Sequence, residues 1–151
     1  MQKLEQLILL LENEIEHCDK ENKNISEASV GWHIEHCTKV IARVTNAIKN
    51  ANPADFKSKL NFVKFIIFAT NKIPRGKGKA PKASLPEGEI NIEILKNNIT
   101  KAREKVKELY LLDENKYFEH PYFGQIKLKD SIKFLKIHTN HHLKIIADIL
   151  K

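Results

Sequence analysis

The chain has 151 residues, of which 42% are hydrophobic and 30% charged, with a formal charge of +7. Those values exclude a disordered segment and a pair of ordinary domains, and predict one domain over residues 1–151 with a core of its own. The longest apolar runs, Leu7–Leu11 and Phe65–Ala69, are five residues; a bilayer span needs roughly 18, so no membrane partner is expected.

The positive charge comes from 23 lysines and only three arginines. Phosphate and base recognition draws on the bidentate guanidinium, so a basic nucleic-acid-binding protein is the weaker reading and a solvated lysine surface the stronger. Cys18 and Cys37 form no CxxC pair, so no disulfide framework is expected and a reducing cytoplasm is the default. The N-terminus carries acidic residues directly after its apolar part and lacks a small-residue cleavage site, which argues against a secretory signal.

Leu4, Leu7, Ile8, Leu11 and Ile15 recur at helical spacing and predict a first helix over 3–18. Asp19–Asn24 breaks it. Ser26 or Ser29 can cap a second helix whose apolar series runs from Ile34 through Cys37, Ile41 and Val44 to Ile48, ending at Asn50–Pro53. A short helix rich in Phe and Ile is expected over 56–70. Residues 73–88 hold three prolines, three glycines and the cations Arg75, Lys77, Lys79 and Lys82, and read as a loop. Ile92, Leu95, Ile99, Ala102, Val106 and Leu109 alternate spacings of three and four, a heptad-like seam on a third long helix. His120–Gly124 reads as a turn, and the last helix runs from about Lys127 to the C-terminus. With no convincing strand, the expected fold is all-α: a four-helix bundle with one short extra helix.

Any chemistry rests on the seven histidines. At about 100° per residue, His142 falls near +40° from His138, inside the apolar stripe of the last helix, and His141 near −60°, at its edge. A single core histidine is usually a hydrogen-bonded structural residue. Two imidazoles one turn apart are harder to satisfy that way and form half of a divalent-metal site. A third ligand must come from another helix, and the second helix offers His36 or His33; the wheel leaves both open and puts His33 nearer the middle of the apolar face. Three neutral nitrogens with an open position suit Zn, Ni, Co or Fe(II). Weaker signals surround them. Arg75, Lys77 and Lys79 can hold an anionic cosubstrate or form a solvated loop. His120 can serve as an acid–base residue or stabilise the turn before Pro121. Trp32, Tyr122 and Phe123 can line a pocket or merely pack, and Cys37 reads as a small core residue.

Two motifs carry a resemblance. Residues 28–36, ASVGWHIEH, resemble the segment of the DinB/YfiT-like superfamily that bears its first metal histidine, and HTNHHLKII resembles that family's last-helix HxxxH. The stretch from His120 through His138 and the loop IPRGKGKAP are similar to an uncharacterised branch of the superfamily. The resemblance implies an up-down-down-up bundle with one divalent ion held by His36, His138 and His142, and leaves His33 and His141 outside the ligand set. It also implies a metal-dependent enzyme, such as an S-transferase using a low-molecular-weight thiol, or a hydrolase. The partners would be a small-molecule substrate and, optionally, a second copy in a homodimer. The alternative is a non-catalytic metal-binding or stress-response module. Ala28 stands where the family often has Trp, and Ile145 or Ile146 where it commonly has Gln.

Overall fold

The computed structural model describes residues 3–76 and 84–151. Its elements are helices α1 (Leu4–Asn13), α2 (Val30–Asn50), α3 (Phe62–Thr70), α4 (Ile92–Leu109) and α5 (Leu128–Ile149), with strands β1 (Tyr117–His120) and β2 (Gly124–Lys127) between α4 and α5. Single 3-10 turns occupy Ile15–His17 and Pro53–Asp55.

The first helix stops earlier than its apolar period predicts. The chain turns at Glu14 so that the carbonyls of Cys18 and Lys20 can accept the Gly31 and Val30 N–H groups at 2.9 and 3.0 Å. These are orphan donors at the start of α2, satisfied here by the preceding segment. The approach is so close that a side chain at Gly31 would meet the Cys18 carbonyl oxygen at 2.9 Å. Ser29, not Ser26, caps α2, its Oγ accepting the Trp32 N–H at 3.2 Å. The third helix begins at Phe62 and not at 56, because Asn61 caps it through the Lys64 N–H at 2.8 Å.

The all-α expectation needs correction. His120–Gly124 is the tip of a hairpin in which β1 and β2 pair antiparallel, Tyr117 opposite Lys127 and His120 opposite Gly124. Gly124 takes φ +69, the left-handed conformation that such a tip requires and glycine adopts at no steric cost. Strands of four residues are too short for a period-two pattern to stand out in the sequence.

The molecule is thus mostly helical with a two-stranded sheet. Helix α2 packs against both α4 and α5, and α1 packs against the same two. Of the seam expected on α4, Ile92 at its start is half-buried, while Leu95, Ile99, Ala102, Val106 and Leu109 face the core. Each such aliphatic side chain contributes about 1.5–3 kcal/mol relative to exposure. Helix α3 buries only Ile67 and leaves much of its apolar surface exposed. Phe62 and Phe65 are 76% and 67% exposed, while Lys64 turns inward to Asp130 at 3.0 Å.

Candidate metal centre

Helices α2 and α5 together position five imidazoles, those of His33, His36, His138, His141 and His142. Three of them, His36, His138 and His142, form a group whose ligand atoms lie within 4.8 Å of one another. Nitrogens bound at roughly 2.1 Å to a single tetrahedral ion stand about 3.4 Å apart, so small side-chain shifts suffice for the three to share one ion. Between His36 Nε2 and His138 Nε2 the separation is already 3.2 Å. The group can hold a metal ion.

Each ring is oriented differently. His36 donates its Nδ1 hydrogen to the Ser84 carbonyl at 2.7 Å, which leaves Nε2 as the bare nitrogen facing His138. His142 Nδ1 is 2.9 Å from His33 Nδ1, so its Nε2 is the nitrogen free for a ligand bond. His33 Nε2 in turn lies 3.0 Å from Ser26 Oγ. His138 has no such support: its Nδ1 is sealed from solvent without a hydrogen-bond partner among the described residues. Trp32 stacks on His36, centroids 4.9 Å apart and planes 14° from parallel, and meets His33 edge-on.

Burial sets the protonation. His36 is 3% and His142 8% exposed, and desolvation holds both, and His138, below the ordinary imidazole range. His33 is pushed down to about 4 for the same reason, with the neighbouring His36 adding to the shift. Neutral rings are the form that binds metal. Two other buried side-chain atoms without partners among the described residues, Glu35 Oε2 and Thr139 Oγ1, lie one residue away from triad members. Orphaned polar groups concentrated at one place are a mark of a functional site.

The remaining candidates separate clearly. His33 and His141 stand outside the ligand group; His141 meets His142 edge-on at 5.2 Å. His120 Nδ1 accepts the Tyr122 and Phe123 N–H groups at 3.1 and 3.2 Å, its ring stacks on Phe123 at 3.9 Å, and burial lowers it to about 4. It holds the hairpin tip, the structural role open to it from the sequence. Phe134 stands between it and the triad, centroids 4.6 Å from His120 and 5.5 Å from His138. Of the pocket residues, Trp32 packs directly on the triad; Phe123 is buried beside Phe134, and Tyr122 is exposed at the tip. Arg75 pairs with Asp148 at 2.8 Å, while Lys77 and Lys79 lie outside the described residues. Cys37 is buried, its thiol pushed up by desolvation, and takes no part in the ligand group.

Sequence reasoning missed Ser26, the Ser84 carbonyl and Glu35, which pairs with Lys39 at 3.1 Å. Only Ser26 left a trace, as a cap candidate; a backbone carbonyl leaves none. Two clefts, of about 570 Å³ beside Cys18, Ile90 and Asn91 and about 290 Å³ beside Thr70, Lys136 and Asn140, are lined by no triad residue. Among the described residues no helix is long and apolar enough to cross a membrane. In comparisons with known proteins, no family model, no curated protein and no solved structure matches the chain.

Proposed function

We propose that the chain is a divalent-metal-dependent enzyme of the DinB-like superfamily, built as an up-down-down-up four-helix bundle of α1, α2, α4 and α5 with α3 as the extra helix. The packing of α1 and α2 each between α4 and α5 supports the bundle. The convergence of three neutral imidazoles from two helices, two of them buried and one half-buried, carries the functional reading. His36, His138 and His142 hold the ion, a donor set that suits Zn, Ni, Co or Fe. When bound, it supplies Lewis acidity, enough to keep a low-molecular-weight thiol ionised at neutral pH and present it to an electrophile. The protein's own groups do the rest. The Ser84 carbonyl orients His36. Trp32 walls the site on the α2 side, and Phe134 excludes water beside His138. The half-buried ring of His138 is where a ligand approaches.

The test is turnover across a panel of thiols and electrophiles with the purified protein, stripped of metal and then reloaded. Turnover that disappears on stripping and returns on reloading is the expected result. Metal-loaded protein that turns over nothing in the panel favours the second reading, a non-catalytic metal-binding helical module. That reading draws on the near-complete burial of His36 and His142 and on clefts that lie elsewhere.

A further inference from the structure

His33 lies outside the ligand group, yet it is 3% exposed and both of its ring nitrogens are engaged. We infer that His33 and Ser26 form an outer hydrogen-bond chain that positions His142 as a metal ligand through Nε2. The inference rests on the metal reading of the site.

A neutral imidazole carries one ring hydrogen. For His142 Nε2 to bind an ion, that hydrogen must sit on Nδ1, whose neighbour at 2.9 Å is His33 Nδ1. His33 Nδ1 must then be bare, which places the His33 hydrogen on Nε2, facing Ser26 Oγ at 3.0 Å. Ser26 Oγ also accepts the Ala28 N–H at 3.2 Å, and an oxygen with two lone pairs accommodates both. Run the other way, with Ser26 donating to His33 and His33 to His142, the chain puts a hydrogen on His142 Nε2 and closes that nitrogen to metal. A bound ion therefore selects one direction of the chain, and the chain holds the ring at the angle the ion needs.

The far end of the chain is fixed. Ser26 N–H and Ile25 N–H both donate to the Asn22 carbonyl, at 2.9 and 2.8 Å. The charged stretch that breaks the first helix thus anchors the outermost member of the relay. His36 is held in the same manner by a backbone carbonyl, whereas His138 has no outer partner among the described residues. Support for a ligand ring from its other nitrogen typically changes metal affinity by about 10–100-fold.

His33→Phe keeps a ring at the position and removes the acceptor; His33→Gln restores an acceptor oxygen. Zinc affinity is read by competition with a chromophoric chelator, Co(II) ligand-field spectra report ligand geometry, and long-range ¹⁵N spectra of the zinc-loaded wild type report the His142 tautomer. Expected are a loss of about 10–100-fold in His33→Phe, substantial recovery in His33→Gln, a smaller loss in Ser26→Ala, and a His142 hydrogen on Nδ1. Wild-type protein that binds no ion would overturn the metal reading together with this inference. Wild-type protein that binds zinc while His33→Phe binds it equally tightly would overturn this inference alone. So would an equal loss in His33→Phe and His33→Gln, which would trace the effect to packing.

Discussion

The two halves of α2 share one apolar stripe, Val30, Ile34 and Cys37 continuing into Ile41, Val44 and Ile48, but differ in the polar side chains they bury. The C-terminal half buries Ile41, Val44 and Ile48, and its one buried polar group, Thr45, bonds locally to the Ile41 carbonyl at 2.9 Å. The N-terminal half buries His33, Glu35, His36 and Thr38. Its imidazoles find partners on distant segments, at Ser84, His138 and His142. The first half is what a core needs: apolar area removed from water at about 25 cal/mol per Å². The polar groups of the N-terminal half work against stability, because burying a polar atom without a partner costs about 1–3 kcal/mol, and Glu35 Oε2 is such an atom among the described residues. A fold that needed only stability would not bury two imidazoles and a carboxylate beside that apolar stripe. The contrast separates residues that hold the protein together from residues kept for a ligand.

Substitutions at the two regions should have separable effects. His142→Ala should abolish stoichiometric metal binding while leaving the helical circular-dichroism spectrum intact, as checked by metal analysis after dialysis. A collapsed spectrum would show that the histidine layer also holds the fold. Ile99→Ala, in the fully buried seam of α4, should do the reverse. It should lower unfolding free energy by about 2–5 kcal/mol in urea and leave zinc affinity within about twofold, given the usual independence of distant sites.

The buried histidines should also make the metal-free protein acid-sensitive. Burial depresses His33 and His120 from the ordinary 6.5 to about 4. Both states are neutral above about pH 6.5, so these two groups cost nothing there. As pH falls from 6.5 toward 4 the unfolded chain takes up protons that the folded chain refuses, and stability drops. The slope is up to about 1.4 kcal/mol per pH unit for each histidine, to be read from urea melts at pH 7.5, 6 and 5. The smallest effect is expected at the surface. Arg103 and Glu12 form a half-exposed bidentate pair with oxygens at 3.0 and 2.5 Å, and Arg103→Ala should cost no more than about 1 kcal/mol.

Much of this division was legible in the sequence, because helical period carries it. The seam of α4 and the inward placement of His138 and His142 follow from 100° per residue alone. The choice between His33 and His36 does not. Both point inward, and what separates them is the register of α5 against α2, which no single-helix wheel contains; the DinB-like motif named His36. The hairpin stayed hidden because its strands are four residues long. The hydrogen bonds from Ser26 and Ser84 stayed hidden because they come from irregular segments with no period to read.

The central claim is that the N-terminal half of α2 and the middle of α5 are built around one ion. X-ray absorption spectroscopy of the zinc-loaded protein, together with metal stoichiometry, tests it most directly. The account predicts one zinc per chain with three imidazole nitrogens at roughly 2.0–2.1 Å, and loss of the imidazole signature in His142→Ala. Sub-stoichiometric zinc, or a shell dominated by carboxylate oxygen or sulfur, would contradict it.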